Sequence, residues 1–396
     1  MPFWRPAAVS SSLLFLMLAV CTIDVFGLGG QATPDGAGAL VRIMRETGLN
    51  QEDREKQTVG YYEGLLNEGS RVSSMGSMLT GTLSRPIAAE TRNIRALRQR
   101  DKYDITRDFL YYVPKPNLDV ADYADTRLRL VTNSARMSDR EYAVAKAAGT
   151  RRIAVIGDSV TRGQGAPFGE SFEALLEQGL NERLPASTGP RFEVLNFAVS
   201  GYRITQFVDV ALERATSYRP DVYLVCLTQL SISGRWGDHL EQLVDDGVDL
   251  KYAFLRELAA EAALSRNDDP VVTNAKLAPF RTATVKWAVD AIRENAARQG
   301  AETVVVLVPT VREMAGLRED FAGVAEMFAG LDVPVVDLID TFAAVDDLNA
   351  FRVSPDNVHP NAAGHRKLFS VLHDRIVTEP RLRQIVLGPL PAGSVR

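Results

Sequence analysis

A serine hydroxyl becomes a nucleophile at neutral pH only beside a base, and the base needs a third group to hold its ring. The chain offers one such set. Ser159 closes the triplet Gly157-Asp158-Ser159, directly after the apolar run Ile153-Ala154-Val155-Ile156. The base is sought among four histidines, His239, His359, His365 and His373, because imidazole titrates near neutrality without help. His359 stands out: Asp356 precedes it by three residues, in a loop between Pro355 and Pro360. A carboxylate placed there can fix the imidazole tautomer, and the order Ser, Asp, His is one that known triads use. A third piece is Asn196-Phe197-Ala198-Val199-Ser200-Gly201. A glycine at that point lets a backbone N–H approach a developing oxyanion with no side chain in the way. Each piece alone is weak, since such short strings recur by chance; their joint occurrence carries the reading.

Other reactive side chains have plainer readings. Cys226 lies in Val222-Tyr223-Leu224-Val225-Cys226-Leu227, where a small buried hydrophobe is the expected role. The only other cysteine is Cys21, so no disulfide framework is expected. His239 beside Asp238 reads as a surface pair. His365 and His373 read as structural or solvent-facing on a C-terminal helix with the apolar stripe Leu368, Phe369, Leu372 and Ile376. Trp236 reads as packing or as a pocket wall. Arg162 and Gln164, just after Ser159, read as a solvated turn with a possible substrate contact.

The elements that must position these residues follow from periodicity. Strands are expected at Arg152–Ile156, Phe192–Phe197, Asp221–Leu227, Thr303–Val308 and Val333–Leu338. Helices are expected at Ser171–Leu184, with Ser171 as N-cap, and at Ile204–Tyr218, Thr282–Gln299, Met314–Ala329 and Asn361–Val377. Alternating strands and helices of this length imply an α/β doubly wound parallel sheet covered on both faces, a three-layer architecture. Ser159 then sits at the carboxyl edge, where open α/β sheets bind ligands. Residues 230–281 interrupt the rhythm and are expected to form an inserted helical lid or loop.

Before this domain, placed at 150–380 and followed by a tail at 381–396, lie two further regions. Residues 1–30 carry Arg5 and then an uncharged stretch from Pro6 to Ile23. That length is borderline for a spanning helix and also fits a signal peptide; an uncleaved membrane anchor is the expectation. Residues 31–149 read as a linker and an α+β extension, with strands at Asp108–Val113, stopped by Pro114 and Pro116, and near Thr126–Thr132. The 396 residues are 46% hydrophobic, with a net charge of −5 and no basic block, so nucleic-acid binding has no support.

At these motifs the chain resembles the SGNH/GDSL hydrolase family, over about residues 150–378 without the insertion. The Gly-Asp-Ser block matches at Gly157-Asp158-Ser159, the glycine block at Gly201, and the last block at Asp356 and His359. The last block runs on into Pro360-Asn361-Ala362-Ala363-Gly364-His365. The resemblance implies a flavodoxin-like sheet, ester hydrolysis or acyl transfer, and neither metal nor cofactor. It assigns Ser159, His359 and Asp356 as nucleophile, base and orienter, with Ser159 and Gly201 N–H groups holding the oxyanion. The third block departs: where the family has Gly-x-Asn-Asp, this chain has Leu227-Thr228-Gln229-Leu230-Ser231. Gln229 is the candidate substitute donor. The expected activity is a serine esterase acting on an acyl or acetyl ester of a small molecule or polysaccharide, anchored outside the cytoplasm. Acyl transfer to an exported polysaccharide, or a binding module on the same fold, are the alternatives.

Overall fold

The computed structural model describes residues 101–122, 127–183, 189–233, 236–266 and 268–388. The expected anchor, and the linker up to residue 100, lie outside the described residues. None of the described helices is long and apolar enough to cross a membrane.

Five parallel strands form the central sheet. They are β5 (Thr150–Ile156), β6 (Arg191–Asn196), β7 (Val222–Leu227), β8 (Glu302–Leu307) and β9 (Val335–Asp337), in spatial order β6-β5-β7-β8-β9. The order reverses around β5. That reversal opens a crevice at the carboxyl ends of β5 and β7. The strands are nearly all apolar because helices cover both faces. Ile153 and Val155 of β5 pack in one cluster with Phe172, Leu176, Leu368 and Leu372. Ala154 and Ile156 point the other way, into a cluster with Phe207, Val208, Val289 and Ile292. Burying each such Val or Ile is worth roughly 1.5–3 kcal/mol.

The first face is covered by α1 (Phe172–Arg183) and α9 (Ala362–Thr378). Asn361 caps α9, its side chain accepting from the Ala363 and Gly364 N–H groups. Ser171 does not act as expected at α1: its hydroxyl donates to Glu173 Oε1 at 2.6 Å. The other face carries α2 (Ile204–Asp209), which runs on as a π turn and a 3-10 turn to Tyr218, and α7 (Arg281–Arg298). The helix expected over Met314–Ala329 is shorter: α8 (Met314–Asp320) gives way to turns, with Gly323 at φ 71° and a 3-10 turn at Glu326–Phe328.

The 230–281 insertion is helical: α3 (Gln229–Ile232), α4 (Asp238–Asp246), α5 (Ala253–Glu261) and α6 (Pro270–Leu277). Its apolar side chains Trp236, Leu240, Leu243, Leu255, Leu258 and Leu277 are buried in the main core cluster. It is a built-in part of the fold, packed on α2.

The extension is two antiparallel hairpins. Strand β1 (Tyr103–Ile105) pairs with β2 (Tyr112–Pro114), and β3 (Asp119–Ala121) with β4 (Arg129–Val131). The strand expected at Asp108–Val113 starts later. Asp108 folds its own neighbours into a turn, accepting from the Thr106 hydroxyl and the Leu110 N–H, while Tyr111 takes φ 67°. Aspartate side chains that capture the backbone two residues on make turns rather than strands. A last hairpin, β10 (Arg352–Ser354) with β11 (Asn357–Pro360), stands beside the end of β8, held by Val311 N–H to Val358 O at 2.8 Å.

Candidate active site

Strand β5 ends in a turn that only this sequence fits. A Cβ on Gly157 would lie 2.3 Å from Thr161 Oγ1. The turn closes through Arg162 N–H to Asp158 O at 2.8 Å and Gln164 N–H to Ser159 O at 3.0 Å. Asp158 is buried; it accepts from the Val160 N–H and from the Thr228 hydroxyl at the start of α3. Burial pushes its carboxyl up to about 6 against those hydrogen bonds. Asp158 therefore stitches the Ser159 turn to the end of β7.

Ser159 Oγ lies 2.8 Å from His359 Nε2. The structure brings these two together from positions 200 residues apart. His359 Nδ1 lies 2.7 Å from Asn357 Oδ1, and the His359 backbone N–H donates to the same oxygen at 3.2 Å. Two donors meeting one atom identify it as the amide oxygen. Nδ1 therefore carries the proton, and Nε2 offers its lone pair to the Ser159 hydroxyl. Burial lowers the imidazole to about 4; Arg162 pushes the same way and Asp122 opposes it.

This corrects the third member of the set. Asp356 is exposed at the turn of the β10–β11 hairpin, and the side chain that meets His359 Nδ1 is that of Asn357. The reason is strand geometry. Successive side chains on a strand point to opposite faces, and those two apart share a face. Asn357 and His359 both lie on β11, so the spacing of two, not three, puts a side chain on the ring.

Gly201 follows β6 and takes φ 83°, and a Cβ there would sit 2.6 Å from Tyr112 Oη. Tyr112 in turn donates to Ser200 O at 2.8 Å. The N–H groups of Ser159 and Gly201 donate to no partner among the described residues, and Gly201 is exposed. Gln229 is placed differently from expectation. Its Nε2 donates to Thr310 Oγ1, and its Oε1 is buried without a partner. Its amide is held by the loop after β8 and is not shown against Ser159.

Several other residues change role. Arg162 is buried, not solvated: Nε donates to Ser200 Oγ at 2.6 Å and Nη2 to Asp122 Oδ2 at 2.8 Å. Gln164 Oε1 accepts from Arg162 and from the Ser200 hydroxyl. His239 is buried, with Nδ1 at 2.8 Å from Thr205 Oγ1 and Nε2 at 2.6 Å from Phe109 O. His365 is buried and stacked on Phe172. Burial raises the Cys226 thiol well above its ordinary value, which removes the thiolate a nucleophile needs. Trp236 packs in the core.

The family model of the GDSL-like lipase/acylhydrolase family matches residues 155–367. No curated protein matches the chain. Among solved structures, TesA is similar at 15% identity, over 59% of this chain and 99% of its own, with a TM-score of 0.38. An acetylxylan esterase from Geobacillus stearothermophilus, Axe2, is similar at 14% identity, over 58% of this chain and 95% of its own, at 0.38. A two-domain esterase active on acetylated mannans is similar at 15% identity, over 58% of this chain and 51% of its own, at 0.39. The matched segment begins at the end of β5, ends inside α9 and takes in the whole of β6, β7, β8 and β9. The chain belongs to the GDSL-like lipase/acylhydrolase family and is an ester-hydrolysing enzyme.

Proposed function

We propose that Ser159 is the nucleophile of this esterase, with His359 as its base and Asn357 as the orienting group. The observation that carries this reading is the relay Ser159 Oγ to His359 Nε2 at 2.8 Å and His359 Nδ1 to Asn357 Oδ1 at 2.7 Å. In acylation Oγ attacks the ester carbonyl carbon while its proton passes to Nε2. The carbonyl oxygen becomes an oxyanion, and the unoccupied N–H groups of Ser159 and Gly201 are its donors. Collapse expels the alcohol, which takes the proton from His359. Water then repeats the sequence on the acyl-serine, giving the carboxylic acid and free Ser159. An amide oxygen fixes the tautomer as a carboxylate does, but it brings no negative charge to the imidazolium. This agrees with a histidine held at about 4 in a buried site.

The substrate we assign is an acyl or acetyl ester of a small molecule or polysaccharide. The uncharged stretch from Pro6 to Ile23 supports an enzyme anchored at a membrane and acting outside the cytoplasm. Turnover of p-nitrophenyl acetate by the wild type and by Ser159→Ala tests the chemistry. A loss of roughly 10³-fold or more is expected on removing a nucleophile. Equal rates, or a fluorophosphonate probe that labels a residue other than Ser159, would overturn it.

A further inference from the structure

We propose that Arg162 and Asp122 form a positioning pair through which the extension holds the two oxyanion donors in register. The inference rests on the assignment of Ser159 as nucleophile. Arg162 belongs to the nucleophile turn, and its backbone N–H closes that turn on Asp158 O at 2.8 Å. Its side chain crosses to the other donor: Nε reaches Ser200 Oγ at 2.6 Å, one residue before Gly201. One guanidinium thus links the segment that carries the Ser159 N–H to the segment that carries the Gly201 N–H. A planar fork fixes direction as well as distance, which an ammonium does not.

The extension completes the arrangement from outside the sheet. Asp122, just after β3, accepts from Arg162 Nη2 at 2.8 Å, and both side chains are 6% exposed. Lys102 lies against the same chain segment, its ammonium donating to Ala121 O. From β2, Tyr112 donates to Ser200 O and fills the space where a Gly201 side chain would stand. Gln164 Oε1 receives both Arg162 and the Ser200 hydroxyl. Ser200 is therefore held at its carbonyl and at its hydroxyl by groups from the extension and the nucleophile turn. A buried guanidinium needs a counter-charge, and Asp122 supplies it.

The pair also bears on the base. The charged groups that act on His359 are Arg162, which lowers its pKa, and Asp122, which raises it. Among the described residues, His365 on α9, itself held near 3 by burial, also interacts electrostatically with His359, while Asp356 on the same hairpin is exposed. His359 must be neutral to accept the serine proton, so activity rises with pH through its pKa.

Geometry and charge are separable by experiment. Arg162→Lys keeps the charge and loses the fork. It should lower kcat by about 10- to 100-fold, as small misplacements of reacting groups do, with KM and the acid limb of the pH profile near wild type. Arg162→Met should lower kcat similarly and move the acid limb of kcat/KM to higher pH. Asp122→Asn should move that limb to lower pH. The double variant Arg162→Gln with Asp122→Asn strands no charge, so it guards against loss of folding; it should bring the limb back while kcat stays low. Limbs that move the same way in Arg162→Met and Asp122→Asn would overturn the pair. So would a change confined to KM, which would make Arg162 a substrate contact. Fluorophosphonate labelling of Ser159 in every variant keeps this test apart from the first: wild type that fails to label refutes the nucleophile, whereas labelled variants with wild-type kcat refute only the pair.

Discussion

The two sides of the active site are built on different principles. The Ser159 turn, residues 157–164, is embedded in charge: Asp158 ties it to Thr228, and Arg162 ties it to Asp122 and Ser200. The other side, the β10–β11 hairpin, brings His359 against a neutral amide, with the hairpin's own carboxylate, Asp356, turned out to solvent. The difference teaches where the electrostatics of the reaction reside. A carboxylate behind the base would stabilise the imidazolium. Here an amide stands in that place, so on the proposed mechanism more of the transition-state charge falls to backbone N–H groups, which the charged side would hold in line.

The largest test of this contrast is at the orienting position. Asn357→Ala should lower kcat by about 10²–10⁴, the range expected when a catalytic histidine loses its tautomer control. Asp356→Ala should stay within about twofold of wild type, as suits an exposed residue. Steady-state turnover of both decides between them; the reverse ranking would restore Asp356 as orienter. Gly201→Ala should follow, with about a tenfold loss of kcat. Its left-handed backbone costs roughly 1–2 kcal/mol for a residue with a Cβ, and the new methyl meets Tyr112 Oη at 2.6 Å. Wild-type kcat and thermal midpoint together would sink that expectation.

The pH dependence sharpens the comparison. With His359 held at about 4, the acid limb of kcat/KM should lie near pH 4. Asn357→Asp supplies the missing charge and should move the limb upward, by about one unit for each ~1.4 kcal/mol of stabilised imidazolium. An unchanged limb would show that Asn357 does not face the ring. The smallest effect concerns stability on the nucleophile side. Burial holds the Glu173 carboxyl up at about 7. A raised carboxyl contributes its stability below its unfolded pKa and loses it as pH rises through the folded one. The stability difference between wild type and Glu173→Gln should therefore shift by about 1 kcal/mol against wild type between pH 6 and pH 8, read by denaturant titration at both values.

Much of the scaffold is legible in the chain because local rules govern it. Runs such as Ile153–Ile156 and Val222–Leu227 are short and rich in β-branched residues, which favours strands covered on both faces, and the helices between them imply a parallel sheet. The pairing of Ser159 with His359, which the structure brings to 2.8 Å, follows from the chemistry of the two side chains. Asn357 is legible only once 357–360 is a strand, which puts it on the face of His359. Other features depend on partners distant in sequence. Gln229 is engaged by Thr310, 81 residues on, and Arg162 is buried by Asp122, 40 residues back. No periodicity carries those distances. At Asp108 a local side-chain turn competes with the apolar residues behind it, whose pattern favours a strand.

At the opposite end of β5 from Ser159, Arg152 is 1% exposed and has its guanidinium divided among Glu193 and the carbonyls of Ala143, Val144 and Tyr218. Two of those carbonyls belong to the segment before the sheet. A chain begun at Thr150 would keep every strand of the sheet yet leave this cation short of two acceptors in a dry site, where each lost partner costs about 1–3 kcal/mol. The point at which strands begin to alternate with helices is thus no seam for cutting. The sheet and the segment that leads into it share this buried cation, so each is a condition for the other's stability.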